Sequence, residues 1–402
     1  MRILYINHEK NLNGAGMSLL GIIDGMYARN HSIYILTSHS KGPFFDELSK
    51  RDYVHIIIKK YYGWCQAKTL LGWIKNKTMW PVYKKQINRI NAKKISKLAI
   101  NEKIDLIHTN SSIVNIGGLI SKYSGIPHIW HLREFGDLDF GMEFYESRSN
   151  IFSFMNNFTN RFICVSRAVS NHYHLLDEKK KNVVYNGIDQ NSIIEPSERK
   201  NGNNVRILIA GAVFRGKGQH EAVAACEMLL NKGIDNFELL IAGKGSIYFP
   251  ISQDTAKHIY ILGYVSEMKR LRKAVDIELV CSRCEAFGRV TAEAMLAGIP
   301  VVGSNTGGTP ELIEDGIDGF LYEKGNINQL AKKIEALITN PKLRQEMGRN
   351  AQIKAKNRFL ISNCVSEIER IYHEVIAQSK QTTQLPNNDI TQVNPKFCVN
   401  AK

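Results

Sequence analysis

The chain opens in the same way twice, and this repetition is the strongest constraint on its fold. Residues 1–6 and 205–210 are short β-prone apolar runs, and each leads into a loop that contains glycine. An amphipathic stretch follows each loop, with apolar residues three or four positions apart, as on one face of a helix. A strand, a glycine loop and a helix in that order open a doubly wound α/β unit. We therefore predict two such units in tandem.

Further short apolar runs alternate with helical patterns along both halves, as expected for parallel strands buried on two faces. They begin near residues 33, 54, 105, 128 and 162 in the first half, and near 237, 259, 277, 300 and 319 in the second. We predict an α/β protein with two Rossmann-like, doubly wound domains that face an interdomain cleft.

Composition and periodicity also suggest the domain boundaries. We expect an N-terminal domain over residues 1–190, a polar linker over 191–204 and a C-terminal domain over 205–358. Apolar positions 365, 368, 371, 372 and 375 predict a C-terminal helix within 359–378, expected to pack back on the N-terminal domain. The polar segment 379–402 is expected to be a flexible tail.

The overall composition excludes several classes of protein. Apolar residues make up 44% of the chain and charged residues 23%, which argues against wholesale disorder. Seven scattered cysteines indicate reduced thiols rather than a disulfide framework. No apolar run approaches the roughly 18 residues of a membrane-spanning helix, and the N-terminus has no signal-like apolar core. We therefore expect a cytoplasmic protein.

The net charge of +15 favours an acidic neighbour: a membrane face, a phosphorylated ligand or nucleic acid. Residues 53–101 contain eleven Lys or Arg and no acidic residue, together with Trp64, Trp73 and Trp80. Positive charge and amphipathic rings both suit a lipid headgroup region. This segment predicts contact with an anionic membrane, on the inner face of the cell membrane. The alternative is a solvated basic helix pair whose aromatic side chains lie in the core.

The segment from Cys281 to Val302 carries the most chemistry. It ends a predicted strand, turns through residues 285–288, forms a helix to Ala297 and breaks at Gly298 and Pro300. Such a turn presents free backbone N–H groups and the positive end of a helix, which favours an anion. Glu285 in the loop and Glu293 on the helix could each bind a diol, one of a hexose and one of a ribose. The alternative is a pair of surface glutamates.

The order of motifs around these two glutamates resembles family 4 of the retaining GT-B glycosyltransferases. It comprises the two acids, Ala297-Gly-Ile-Pro-Val-Val302, Gly307-Gly-Thr-Pro-Glu-Leu-Ile313 and Asp315-Gly-Ile-Asp-Gly-Phe-Leu-Tyr322. Upstream, Gly211–Gln219, Ile241-Ala-Gly-Lys-Gly245 and Asn186-Gly-Ile-Asp189 extend the resemblance, and Asn13-Gly-Ala-Gly16 fits the N-terminal glycine loop of the family. The resemblance covers nearly the whole chain and is more specific in the second half.

The resemblance implies roles for individual residues of the second half. Glu285 is implied to meet the hydroxyls of the donor sugar, Glu293 to bind the ribose and Lys217 to neutralise the diphosphate. The family usually has an arginine five residues before that lysine. Ala212 occupies this position, and Arg215 is the nearby candidate to replace the arginine. The other implied donor contacts are Phe287, Gly288, Arg289, Tyr264 and Val265.

In the first half, His131 resembles the family histidine near the donor sugar, although a hydrogen-bonded core histidine would have the same pattern. Arg133 and Glu134 either line the acceptor side or pair with each other. Gly14 and Gly16 would let the backbone approach the donor closely, but a lone Gly-x-Gly is weak evidence. Glu285, Lys217 and His131 are therefore the catalytic candidates.

The implied reaction moves a hexosyl group from a nucleotide diphosphate sugar to a sugar or lipid-linked acceptor with retention of configuration, without a metal or other cofactor. The alternatives are a GT-B sugar-nucleotide epimerase and a disaccharide synthase with a soluble acceptor. A nucleic-acid-binding protein is disfavoured because no recognisable RNA or DNA module accompanies the charge. Metal or redox use of Cys281 and Cys284 is disfavoured because no second cysteine pair lies nearby.

Overall fold

The computed structural model describes residues 1–68, 78–195 and 204–384. Within these ranges the chain forms two parallel sheets flanked by helices, so the predicted α/β architecture of two Rossmann-like domains is confirmed. Trp73, most of the predicted linker and the last part of the predicted tail lie outside the described residues.

The N-terminal domain contains a sheet of seven described parallel strands in the order β3-β2-β1-β5-β6-β8-β9, and β4 and β7 form a separate antiparallel ribbon. The strands are β1 Arg2–Asn7, β2 Ser32–Thr37, β3 Val54–Ile58, β4 Cys65–Ala67, β5 Leu106–Thr109, β6 His128–Leu132, β7 Met142–Phe144, β8 Arg161–Cys164 and β9 Lys181–Val183. The helices are α1 Gly14–Tyr27, α2 Pro43–Leu48, α3 Trp80–Asn101, α4 Ile116–Ser124, α5 Asp137–Phe140, α6 Arg148–Asn157 and α7 Arg167–His172.

The C-terminal domain repeats the plan with a parallel sheet in the order β12-β11-β10-β13-β14-β15. Its strands are β10 Val205–Ala210, β11 Phe237–Ala242, β12 Ile259–Gly263, β13 Ile277–Val280, β14 Val301–Ser304 and β15 Gly319–Tyr322. Its helices are α8 Gln219–Asn231, α9 Gln253–Ala256, α10 Met268–Arg272, α11 Arg289–Leu296, α12 Thr309–Leu312, α13 Ile327–Thr339 and α14 Pro341–Arg358, followed by α15 Ile361–Gln384. In both sheets the strand order reverses beside the first strand, where open α/β sheets bind ligands.

The last helix, α15, belongs to the core of the N-terminal domain. Val365, Ile368 and Tyr372 are buried against β1 and α1, in one cluster with Ile3 and Leu19. The helix continues to Gln384, so the predicted boundary at 378 between helix and tail is too early. The amphipathic spacing predicted the buried face, whereas nothing in the polar residues that follow marked the end of the helix.

Hydrogen bonds to one carboxylate join the two domains. The Glu311 carboxylate, on α12, accepts hydrogen bonds from the backbone N–H groups of Arg167 and Ala168, both at 2.8 Å, at the start of α7. The Tyr185 hydroxyl also donates to it at 3.1 Å. An acid at the first turn of a helix satisfies N–H groups that lack partners in the helix and interacts favourably with the helix dipole.

We expect Glu311→Ala to lower the free energy of unfolding by about 1–2 kcal/mol, because it leaves two N–H groups of α7 without their carboxylate acceptor. Urea denaturation measures the change. Glu346→Ala, at an exposed position of α14 in the same domain, is the matched control and should leave the transition in place. Equal stability of the two variants would contradict a stabilising role for Glu311.

Candidate functional site

An ion pair links the ends of the two central strands of the C-terminal sheet. Lys217 lies in the 3-10 turn Arg215–Lys217 after β10, and Glu285 lies in the loop after β13. The Lys217 Nζ atom is 2.5 Å from Glu285 Oε1, and the Ser282 hydroxyl donates to the same oxygen at 2.5 Å. Both charged side chains are partly exposed. The structure therefore brings together the two predicted groups that lie 68 residues apart in sequence.

The backbone around this pair is closely packed. Gly218 adopts φ +73°, and a Cβ added there would lie 2.1 Å from the carbonyl oxygen of Cys281, so only glycine fits. The Arg283 N–H donates to the carbonyl of Gly216 at 2.7 Å, and the Gly308 N–H donates to the carbonyl of Glu285 at 2.7 Å. Three loops thus fix the position of the Glu285 backbone.

Helix α11 begins directly after the Glu285 loop, with Gly288 as its N-cap at φ +98°. The first N–H groups of the helix have no acceptor within it, and they carry the positive end of its dipole. The Phe287 side chain is buried, with its ring centroid 6.0 Å from that of Tyr185 and 5.9 Å from that of Phe359. Only the Phe287 backbone is therefore available to a ligand.

Two arginines hold Glu293. Arg272 Nη1 donates to Glu293 Oε2 at 2.9 Å, and Arg289 Nη2 donates to Glu293 Oε1 at 3.3 Å. Arg272 is buried and also bonds Glu278 through two nitrogens, each at 2.9 Å. Burial lowers the pKa of Arg272, but the Glu278 and Glu293 carboxylates outweigh it and hold the pKa above its usual value. Each Glu293 oxygen keeps a second lone pair that can accept from a ribose hydroxyl.

Arg289 bridges the cleft. Its Nη1 atom donates to the Ser18 hydroxyl at 2.9 Å and to the Gly187 carbonyl at 3.3 Å, both in the N-terminal domain. A Cβ added to Gly14 would lie 3.2 Å from Arg289 Cδ, so the first residue of α1 faces the start of α11. A Cβ added to Gly16 would instead lie 3.0 Å from the Phe44 ring. Packing of α1 on α2 therefore explains Gly16, whereas Gly14 lies at the cleft.

His131 ends a buried hydrogen-bonded chain. Tyr372 on α15 lies 2.6 Å from His108 Nδ1, and His108 Nε2 lies 3.2 Å from His131 Nδ1. The Tyr5 hydroxyl is 3.3 Å from that of Tyr372. The His131 Nε2 atom has no partner among the described residues. Burial lowers the pKa of both histidines well below the usual value, so both rings are neutral at pH 7.

Arg133 and Glu134 are buried and have different partners. Arg133 donates to the side chains of Asn110 and Asn186, both at 2.6 Å, while its Nη2 atom has no partner among the described residues. Burial lowers the pKa of Arg133 to about 10, which leaves it charged at pH 7. Glu134 Oε1 accepts from the hydroxyls of Ser111 and Ser112 and from the Ser112 N–H, at 2.6–2.7 Å. Arg133 and Glu134 are therefore held by other residues, and not by the ion pair between them that was the predicted alternative.

The remaining predicted donor contacts are more peripheral. Tyr264 is 68% exposed and lies under Lys244, whose Nζ is 4.6 Å from the ring centroid, while Val265 packs against the core. Arg215 is exposed. Burial lowers the pKa of His220, Glu221 opposes that shift, and the positive charges of Lys324 and Arg215 add to it. Arg215 does not join Lys217 and Glu285 in the hydrogen-bonded group.

Two short motifs in the sequence have spacings that occur in metal sites, Asp137 with Asp139 and Cys281 with Cys284, but their surroundings do not favour a metal. Asp137-Leu-Asp139 has Asp-x-Asp spacing, yet Asp137 pairs with Arg148 and with His172, and Asp139 accepts from the backbone N–H groups of Phe135 and Gly136. Burial raises the pKa of Cys281 to about 12 and that of Cys284 to about 11, which disfavours the thiolate. In the described part of the chain no three His, Cys, Asp or Glu side chains form a metal-binding group.

Family models match both halves of the chain: "Glycosyltransferase Family 4" matches residues 12–192, and "Glycosyl transferases group 1" matches residues 190–354. An uncharacterised glycosyltransferase of Methanocaldococcus jannaschii is 33% identical over 304 residues, which are 71% of this chain and 80% of that protein. The chain belongs to the family 4 glycosyltransferases. The predicted family is therefore confirmed.

Other proteins similar to this glycosyltransferase have named activities. The N-acetyl-alpha-D-glucosaminyl L-malate synthase of Bacillus anthracis is 27% identical, covering 72% of this chain and 80% of the synthase. A UDP-Gal:alpha-D-GlcNAc-diphosphoundecaprenol alpha-1,3-galactosyltransferase of Escherichia coli is 25% identical, with 70% and 78% covered. The crystal structure of Anabaena HepE with UDP superposes with a TM-score of 0.73 at 23% identity, covering 93% of this chain and all of that one. This likeness confirms the GT-B fold.

Sequence reasoning missed the groups that support the glycosyltransferase site. Arg272 lies in a short basic helix whose composition suggests a solvated surface, yet it is buried between Glu278 and Glu293. Ser282, beside Glu285, stands between two cysteines that drew attention to metal or redox chemistry instead. No spacing rule links Tyr372 to His108, because α15 reaches β5 only through the tertiary fold.

The buried histidines predict a pH dependence of stability. Burial lowers the pKa of His128 to about 4 and those of His108 and His131 well below the usual value. Because these rings bind protons near pH ~6.5 only when the chain unfolds, stability is retained at higher pH. It falls as the pH drops below that value, by up to about 1.4 kcal/mol per pH unit for each histidine.

Urea denaturation at pH 7.5 and 5.5 measures this loss. His128→Gln should remove about one histidine's share of it, while His174→Gln, at an exposed position, should leave the loss unchanged. If His128→Gln shows the same difference between the two pH values as the wild type and the His174→Gln control, His128 is not buried as a neutral ring.

Proposed function

We propose that this glycosyltransferase is a retaining enzyme that transfers a hexosyl group from a UDP-sugar to an acceptor hydroxyl. The observation that carries the proposal is the Lys217–Glu285 pair beside the start of α11, which joins a cation, a carboxylate and free N–H groups. The galactosyl donor named for the Escherichia coli relative and the UDP bound to Anabaena HepE support the choice of nucleotide.

The proposed step breaks the bond between the anomeric carbon and the diphosphate oxygen and forms a bond to the acceptor oxygen on the same face. The acceptor proton passes to the departing diphosphate, so the products are UDP and the glycosylated acceptor. The transition state gains negative charge on the diphosphate and positive charge on the sugar ring. Preorganised donors aimed at the developing charge supply much of the stabilisation in such a step.

The chain's own groups can supply these contacts. Lys217 has three donors, so it can contact a phosphate while it keeps its bond to Glu285. The first N–H groups of α11 can hold a second phosphate oxygen. Both contacts to Glu285 fall on Oε1, which leaves Oε2 to accept from sugar hydroxyls. The neutral His131 Nε2 is buried and lacks a partner among the described residues, so it can bond the sugar only after the side chains around it move.

We also propose that the enzyme works at an anionic membrane on the inner face of the cell and uses a lipid-linked acceptor. At the start of α3, the exposed fractions of Met79, Trp80 and Val82 are 73%, 41% and 56%. Lys84 and Lys85 follow on the same helix, where Lys84 donates to the Tyr145 hydroxyl at 2.6 Å and Lys85 pairs with Glu146 at 2.7 Å. Apolar side chains beside cations favour a lipid surface. No helix in the described ranges has the length and hydropathy needed to span a bilayer.

Only part of the basic segment supports this membrane proposal. Trp64 and Tyr61 are buried, and Trp64 stacks on Trp130 at 5.5 Å between ring centroids. These two aromatics are core residues, as the alternative interpretation of the segment expected. Trp80 and Tyr83 are exposed and stack on each other at 5.4 Å. The proposed membrane surface is therefore residues 79–85 rather than all of residues 53–101.

We expect Lys217→Ala and Glu285→Ala each to lower kcat by about 10²–10³-fold while the protein still folds, because each removes a group that stabilises the transition state. Product formation from UDP-, GDP- and ADP-sugars measures the effect. Lys257→Ala, at an exposed surface pair of the same domain, is the control. Near wild-type turnover by Glu285→Ala would remove Glu285 from the site.

A thermal-shift screen tests the donor. UDP or a UDP-sugar at a hundred times its Kd should stabilise the protein by about 2.7 kcal/mol, since only the folded chain binds it. GDP- and ADP-sugars should produce smaller shifts at the same concentration. A larger shift with either of them would overturn the assignment of uridine.

Co-sedimentation with vesicles tests the membrane surface. The wild type should bind vesicles rich in phosphatidylglycerol at low salt and less at ~0.5 M salt, because screening weakens charge attraction. The double variant Trp80→Ala/Tyr83→Ala should bind several-fold less. Tyr260→Ala, 45% exposed in the C-terminal domain, should bind as the wild type does. Absence of vesicle binding by the wild type would exclude this surface.

A further inference from the structure

Four buried rings form a hydrogen-bonded chain across the N-terminal sheet. They are Tyr372 on α15, Tyr5 on β1, His108 on β5 and His131 on β6, and none is exposed to solvent. Tyr5 and His108 are partners in the register of neighbouring strands, and the ring centroids of His108 and His131 lie 5.2 Å apart. We name this group the tyrosine–histidine chain. Its outer end is the Nε2 atom of His131, which has no partner among the described residues.

The tyrosine–histidine chain ends near the cleft. Arg133 follows His131 by two residues and donates to the Asn186 side chain at 2.6 Å. The next carbonyl, that of Gly187, accepts from Arg289 of the C-terminal domain at 3.3 Å. The carboxyl end of β6 therefore lies next to a contact between the domains.

The hydrogen bonds of the tyrosine–histidine chain can run in two directions. Burial lowers the pKa of both histidines, so each neutral ring carries one hydrogen. In the first direction the Tyr372 hydroxyl donates to His108 Nδ1, and His108 Nε2 donates to His131 Nδ1, so the hydrogen of His131 is on Nε2. In the reverse direction that hydrogen is on Nδ1, and His131 Nε2 is a hydrogen-bond acceptor.

The distances favour the first direction. The Tyr372 hydroxyl oxygen lies 2.6 Å from His108 Nδ1, which is shorter than the ~2.7–3.2 Å of N–H···O bonds and fits an O–H donor. The two tyrosine hydroxyls are farther apart, at 3.3 Å. A hydroxyl hydrogen rotates to suit its partners, so Tyr5 can donate to Tyr372 in the first direction. In the reverse direction the buried Tyr5 hydrogen would lack an acceptor in the tyrosine–histidine chain, and a buried donor without an acceptor is costly.

Arg133 provides a second reason for the first direction. His108 contacts His131, and Asn110, two residues after His108, accepts from Arg133 at 2.6 Å. Arg133 and His131 therefore lie on the same side of the sheet. Arg133 Nη2 is a buried donor without a partner among the described residues. If His131 Nε2 were an acceptor, the two atoms could satisfy each other, yet the structure pairs neither, as expected for two donors.

We propose that Tyr372 and His108 are positioning residues that keep the hydrogen of His131 on Nε2, which makes His131 a hydrogen-bond donor toward the sugar. This inference rests on the proposed glycosyl transfer. His131 Nε2 and Arg133 Nη2 then both require oxygen acceptors from outside the protein, and a sugar supplies them. Because His131 is buried, it bonds the sugar only after the side chains around it move.

Nitrogen NMR of the full protein with isotope-labelled histidine locates this hydrogen near neutral pH, because ring nitrogens with and without hydrogen resonate far apart. The loss of signals in His131→Gln assigns them. In the wild type, His131 should carry its hydrogen on Nε2. Tyr372→Phe keeps the ring but removes the donor to His108, so His131 should populate both forms. Tyr5→Phe should keep the wild-type form, because Tyr372 still donates to His108.

Turnover, measured as UDP release from a UDP-sugar, is the second readout. Tyr372→Phe should lower kcat about tenfold and change KM by less than about twofold, since one hydrogen bond is lost while the nucleotide contacts of the other domain are untouched. Tyr61→Phe is the matched control, because its buried hydroxyl bonds the carbonyls of Asn7 and Leu36 and no histidine. It should keep the wild-type kcat and the wild-type His131 signals.

Both variants should keep the wild-type thermal shift with UDP, which shows that they fold. A hydrogen on Nδ1 of His131 in the wild type would overturn the positioning proposal. Wild-type His131 signals or wild-type kcat in Tyr372→Phe would also overturn it. Absence of turnover by the wild type with every nucleotide sugar would instead overturn the proposed function, and NMR would still decide the position of the hydrogen.

Discussion

The contact between Lys217 and Glu285 organises the candidate site, because it joins the loops after the two central strands of the C-terminal sheet. β10 and β13 are neighbours at the point where the strand order reverses, so their loops diverge around a crevice. The ion pair lies across that crevice, and the close approach of Gly218 to Cys281 holds the two loops at a fixed distance. A partly exposed pair contributes little to stability, so its main effect is to preorganise the site.

The second half of the site is assembled by the meeting of the two domains. Arg289 extends from α11 to Ser18 and Gly187, and Glu311 extends from α12 to the start of α7. The chain crosses between the domains twice. The two crossing segments lie side by side, and the Ile188 N–H donates to the Phe359 carbonyl at 2.8 Å. With α15 packed on the N-terminal domain, these contacts determine how the two domains face each other at the Glu285 loop.

Periodicity and motif order predicted more of the C-terminal domain than of the N-terminal one. All six strands described there coincide with apolar runs identified in the sequence. Five of them are largely buried, as a nearly continuous apolar pattern indicates, whereas β12 is an edge strand whose apolar side chains are exposed. The β4–β7 ribbon was missed because each strand has three residues and the partners lie far apart in sequence. The aromatic residues of the basic segment could not be sorted in advance either, since Trp64 and Trp80 differ only in what the fold packs around them.

By itself the sequence determined the two α/β halves, the family and the loop that carries Glu285. Each depends on the spacing of residues within a short segment, because backbone geometry places residues of a given spacing on one face of a helix or strand, in a turn or at a helix start. Only the tertiary structure decided that Arg272 supports Glu293, that Tyr372 reaches His108 and that Gly16 packs on Phe44. A buried polar or charged group must find a partner, and which partner it meets depends on the path of the whole chain.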